Sequence, residues 1–150
     1  MPCVQTSIVS GQAILGNVFI LPPGELRKRV SEKQGPIQIK DHEVKACSAL
    51  IDTGAQISCI ARQVVRSLGL VSKSKLTISG ATGTAETFVY DADLVLPDIG
   101  WGQESISLAG LDISPNAKYQ ILLGMDILGL GTLHFNYGFS GKPGICTFCI

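Results

Sequence analysis

The residues best suited to chemistry in this chain lie in one run, Ala49-Leu50-Ile51-Asp52-Thr53-Gly54-Ala55. An apolar, β-prone stretch ends abruptly in a carboxylate. At the margin of a buried region a carboxyl group holds its proton more readily than in water, which suits it to general acid–base work. Gly54 permits a turn that a side chain would block and lets another chain or a ligand approach the backbone. Thr53 supplies a hydroxyl that both donates and accepts, so it can brace a loop. Alone the tripeptide is a weak signal, because an Asx turn after a strand reads the same way.

Other groups offer less. Asp98-Ile99-Gly100 and Asp112-Ile113-Ser114 lack both the hydroxyl-glycine pair and the apolar lead-in. Cys146-Thr147-Phe148-Cys149 has the spacing of a redox or zinc pair, but such a redox pair opens a helix. Here it lies in a terminal strand, where positions i and i+3 face opposite sides. No second pair exists, so these cysteines read as structural thiols; an intersubunit disulfide through a terminal cysteine is the alternative. His42 and His134 have no neighbours that would complete a nucleophilic set.

Elements that could position Asp52 follow from periodicity. Residues 4–9 and 12–20 read as strands closed by Pro22-Pro23-Gly24. Residues 25–45 carry ten of the chain's 24 charges and read as a solvated surface turn. Residues 37–40 and 44–52 form a predicted hairpin around Asp41-His42, and 57–60 a short strand. Ala61, Val64, Val65 and Leu68 recur at helical spacing, with Gly69 placed to end the helix. Residues 75–79 and 84–96 are β-rich around Gly80-Ala81-Thr82-Gly83. Residues 105–111 alternate as a strand. Residues 119–123 form a strand running into Gly124, then a short helix over 125–128. Residues 132–137 and 145–150 make a last hairpin. The fold class is therefore mainly β with one or two short helices.

Bulk properties narrow the field. Hydrophobic residues make up 45% and charged residues 16%, which excludes a disordered chain. Twelve basic and twelve acidic residues cancel, so nothing favours nucleic acid or an anionic membrane as a partner. No basic region precedes the apolar stretch 13–21, which Asn17 interrupts, and no apolar run reaches membrane-spanning length. No signal peptide or transmembrane segment is expected. Five cysteines, an odd number, argue against a closed disulfide framework and for a reducing, cytoplasmic setting. Residues 1–24 carry no charge, so they must be covered by their own core or by a partner.

Leu50-Ile51-Asp52-Thr53-Gly54-Ala55, followed further on by Ile121-Leu122-Leu123-Gly124-Met125-Asp126-Ile127-Leu128, resembles the two signature elements of retropepsin-like aspartic proteases. The likeness runs from about Pro36 to Tyr137. It implies an acid-protease fold in which each chain is a closed, β-barrel-like half of a two-fold homodimer. The implied organisation is an N-terminal extension over 1–35, offering a dimer contact or a processed segment, and a protease domain over 36–150. The implied activity is that of an aspartic endopeptidase acting on polypeptides, with no cofactor and no metal.

The resemblance also assigns roles. Asp52, Thr53 and Gly54 are the catalytic set, with Thr53 hydrogen-bonding across the dimer axis. Ala55 borders the substrate channel. Gly80, Ala81, Thr82 and Gly83 stand where the family has its flap tip, and Ile78, Phe88 and Leu122 are candidate pocket walls. Only one Asp-Thr-Gly is present, so the second carboxylate must come from another chain. The uncharged N-terminal segment and residues 145–150 suit the interleaved sheet of chain ends that commonly holds such dimers. Two departures stand out. Gln56 and Met125 occupy positions where many retroviral enzymes carry an acidic residue and an arginine. Losing both together avoids an unpaired buried charge and resembles the cellular branch, such as DNA-damage-inducible-type proteins. The alternative reading is a catalytically silent dimerisation or peptide-binding module on the same fold.

Overall fold

The computed structural model describes residues 1–32 and 45–150. The chain opens with β1 (Cys3–Val9) and β2 (Gln12–Leu21), joined through Ser10 and Gly11 at φ of 52° and 75°. Two positive φ values give the turn whose twist matches a hairpin. Along β2 the buried positions are Ala13 and Leu15, then Val18, Ile20 and the terminal Leu21. The parity changes because the register against the next strand shifts between Leu15 and Val18, where Asn17 has φ 55°. β2 is thus covered by the core of its own chain, while no residue of β1 is fully buried.

Residues 25–32 correct the surface-turn expectation: they form α1 (Glu25–Glu32). The carbonyls of Pro22 and Gly24 accept hydrogen bonds from Glu25 and Lys28 N–H and start the helix. Leu26 is its buried anchor, packed with Leu21 and Val95. Asp93, fully buried, accepts Leu26 N–H at 2.9 Å and Ser105 N–H at 2.8 Å. One apolar anchor in a run of charges leaves too faint a period to read. The expected hairpin around Asp41-His42 lies outside the described residues; its second strand is seen from Lys45 onward.

The next strands are β3 (Lys45–Ile51) and β4 (Cys59–Ala61). The helix α2 (Arg62–Leu68) follows, burying Val64 and Val65 and ending at Gly69, φ 62°. A long hairpin then pairs β5 (Ser72–Gly80) with β6 (Gly83–Leu96). Pro97–Ile99 is a single 3-10 turn before β7 (Trp101–Leu111). The chain closes with β8 (Ile121–Leu123), α3 (Met125–Leu128), β9 (Thr132–Asn136) and β10 (Gly144–Cys149).

The strands form one sheet in the order β5-β6-β7-β4-β8-β3-β2-β1-β10-β9, and β6 also pairs with β2. Leu15, Ile20, Ile60, Leu94, Leu108, Ile121, Leu123 and Phe148 are fully buried at its centre. Each such side chain contributes roughly 1.5–3 kcal/mol by leaving water. Among the described residues no helix is long and apolar enough to cross a membrane.

The chain ends meet within one molecule. β10 lies between β1 and β9, paired to both, and Cys3 is disulfide-bonded to Cys149. This corrects the reading of Cys149 as a free thiol. Cys47, Cys59 and Cys146 are free and buried. Cys146 points into the core and Cys149 away from it, as strand alternation requires. Both edges of β10 are therefore occupied in its own chain, which differs from ends left free to interleave.

Candidate active site

Asp52 follows the last residue of β3. Its strand is held on both sides, by β2 and by the parallel β8, and the ladder continues into the site through Asp52 N–H donating to Leu123 O at 3.0 Å. The chain then turns. Ala55 N–H donates to Asp52 O at 3.2 Å, and Gly54 N–H donates to the Asp52 carboxylate at 2.9 Å. A Cβ on Gly54 would stand 3.2 Å from Asp52 Oδ1, so the small residue keeps the carboxylate where it is. Asp52 is half-buried, while Thr53 and Gly54 are exposed.

A second loop locks the first. Met125 N–H donates to Ala55 O at 2.8 Å. Ser58, fully buried, donates its hydroxyl to Asp126 Oδ1 at 2.6 Å and its N–H to Oδ2 at 3.0 Å. The same hydroxyl accepts Gly124 N–H at 2.9 Å. Gly124 passes so close that a Cβ there would meet Ile57 and Ala55 backbone atoms at 2.8–2.9 Å. The Gly124-Met125-Asp126 motif thus works as a clamp on residues 55–58.

Asp52, Gly54, Ala55, Gln56 and Ile57 form one wall of an open cleft of about 610 Å³. Leu76, Thr77, Ile78 and Ser79 of β5 form the other. Cys59 also lines it, its thiol pushed up to about 11 by burial, then by the negative charges of Asp126 and Asp52. It is therefore a neutral, apolar wall group and not a nucleophile.

The structure thus gathers Asp52, Gly54, Ala55 and Ile78 around one cleft. Gly80, Thr82 and Gly83 instead border a smaller hollow of about 260 Å³ with Arg62 and Asp112, on the same β5–β6 hairpin. Ala81 is exposed at the hairpin tip. Leu122 is half-buried in β8 opposite Leu50 and Cys59, and Phe88 is 45% exposed on β6; neither lines the Asp52 cleft. Among the described residues no group of three or more His, Cys, Asp or Glu could hold a metal ion.

Residues 36–129 match the family described as "gag-polyprotein putative aspartyl protease", and both loops of the site fall inside that span. The chain belongs to this aspartyl protease family. A crystal structure of a retropepsin-like aspartic protease from Rickettsia conorii has the same fold, with a TM-score of 0.55 over 97% of this chain and 91% of that one at 13% identity. No curated protein matches the sequence significantly.

Sequence reasoning missed two parts of this candidate site. Asp126 was legible as a motif member but not as the acceptor for Ser58, since nothing in Ser58's surroundings marks it as buried. Cys59 as a cleft wall was equally silent: a three-residue strand gives no period to say which side faces the cleft.

Proposed function

We propose that the chain is an aspartic endopeptidase whose active site forms when two copies bring their Asp52 carboxylates together. The observation that carries this reading is the Asp52-Thr53-Gly54 turn, clamped by Gly124–Asp126 and facing a hairpin across an open cleft. In aspartic proteases generally, two carboxylates about 3 Å apart cannot both ionise and so share one proton. The ionised Asp52 takes a proton from a water held between the pair. The protonated one polarises the scissile carbonyl and later helps to protonate the leaving amine. Thr53, exposed in the single chain, braces its counterpart across the axis, and Ala55 borders the bound peptide.

The β5–β6 hairpin acts as the flap, with residues 80–83 at its tip; its β5 strand already walls the cleft. The ladders linking β2, β3, β8, β4, β7 and β6, and β6 back to β2, support a closed, barrel-like half. Residues 36–150 are read as the protease domain and 1–35 as an N-terminal extension that lends β2 to its core.

Wild type and Asp52→Asn are compared on a peptide library between about pH 4 and 7. Cleavage confined to the wild type, with a bell-shaped pH dependence, is the expected result. Equal behaviour of the two proteins would favour the catalytically silent module instead.

A further inference from the structure

The inner face of the β5–β6 hairpin thins towards its tip. Register sets Leu76 opposite Thr87, Ile78 opposite Ala85 and Gly80 opposite Gly83. Directly opposed residues share a face. This face turns towards the body of the protein, because Thr87 is buried and donates its hydroxyl to Gly110 O. A Cβ on Gly80 or Gly83 would meet nothing within 4 Å. These small residues leave open the hollow of about 260 Å³. Ile78 lines both that hollow and the Asp52 cleft, so the hollow is a side chamber of the cleft.

The walls of the chamber change character along its length. Ile78 and Ala85 give it apolar sides, while Arg62, Glu86 and Asp112 bring charge to it. Arg62 and Asp112 stand 3.4 Å apart and offset one another. Among the described residues Glu86 has no ion-pair partner. The chamber therefore holds one carboxylate more than it can neutralise. We infer that it is a specificity pocket for a lysine or arginine side chain of the peptide being cut. This rests on the peptidase reading above. An aliphatic stem lies against Ile78 and Ala85, and the cationic head reaches Glu86, with Asp112 as a second acceptor. A glutamate side chain would meet an uncompensated like charge there, so the pocket selects by repulsion as well as by attraction.

The test starts from a peptide that wild type cleaves, with each residue flanking the cut bond replaced in turn by Lys, Met or Glu. At one position kcat/KM is expected to fall in the order Lys, Met, Glu, with roughly two- to fivefold between Lys and Met, the range of an exposed ion pair. Glu86→Gln should bring Lys down to the level of Met, and Glu86→Lys should place Glu above Lys. Glu86 is exposed, so both variants should melt with wild type. Asp112→Asn, also at an exposed position, should lower the Lys preference in the same direction. Wild-type cleavage without a Lys preference at any position, or a preference that all three variants keep, would overturn the pocket and leave the Asp52 reading standing. A preference for Glu that Arg62→Gln abolishes would also overturn it, by assigning the chamber to anionic side chains. A wild type that cuts no peptide would overturn both readings.

Discussion

Ser58 and Asp126, 68 residues apart in sequence, are joined by two hydrogen bonds of 2.6 and 3.0 Å. They fasten the loop after Asp52 to the start of α3, and the Ser58 hydroxyl also accepts Gly124 N–H. Ser58→Ala strands the buried Gly124 N–H and frees residues 55–58. The expected cost is about 1–3 kcal/mol, read as a lower denaturation midpoint, with peptide cleavage falling alongside it. An unchanged midpoint would mean that water replaces the hydroxyl without penalty.

Gly124 and Gly54 separate stability from positioning. A methyl group on Gly124 meets backbone atoms at 2.8–2.9 Å, which cannot move aside as a flexible side chain can. Gly124→Ala is expected to destabilise by about 1–3 kcal/mol. At Gly54 the nearest atom is Asp52 Oδ1 at 3.2 Å. Gly54→Ala should melt near wild type yet lose roughly ten- to hundredfold in kcat/KM, because it displaces the carboxylate itself. The reverse pattern in calorimetry and kinetics would mean that these two contacts have been read the wrong way round.

The Asp52-Thr53-Gly54 turn could be read from the sequence because it is local. An apolar strand, an acid and a glycine stand next to one another, and Gly124-Met125-Asp126 repeats the pattern before a helix. Amphipathic α2 and the long β5–β6 hairpin announced themselves by period and turn residues. Features that depend on long-range pairing did not. Cys3 meets Cys149 only because β1 and β10 run antiparallel, and an odd cysteine count pointed the other way. α1 was hidden because Leu26 alone anchors it, and Asp93 looked like any strand aspartate until Leu26 and Ser105 N–H were seen to converge on it.

The disulfide links residues 146 apart, so nearly the whole chain is inside the loop it closes. Its loss frees a large amount of unfolded-state entropy. Reductant, or the Cys3→Ser/Cys149→Ser double variant, is expected to lower stability by about 2–5 kcal/mol in chemical denaturation. The double variant itself should no longer respond to reductant. Identical midpoints with and without reductant would show that the bond contributes nothing.

Burial pushes both the Cys47 and Cys59 thiols up from 9.0 to about 11. Above pH 9 the unfolded chain loses these protons while the folded chain keeps them. The thiols' contribution to stability is therefore complete below pH 9 and is lost as pH rises from 9 towards 11. Denaturation midpoints measured across that window should fall with pH, and less steeply in Cys47→Ala and Cys59→Ala. A slope unaffected by either substitution would contradict this.

The central claim is that one active site needs Asp52 from two chains. Wild type is mixed with an equal amount of Asp52→Asn, allowed to exchange subunits, and assayed against wild type at the same total concentration. Random pairing leaves about one quarter of dimers with both carboxylates, so activity should fall to about one quarter. Retention of one half would mean that each chain cleaves on its own, and would contradict the account.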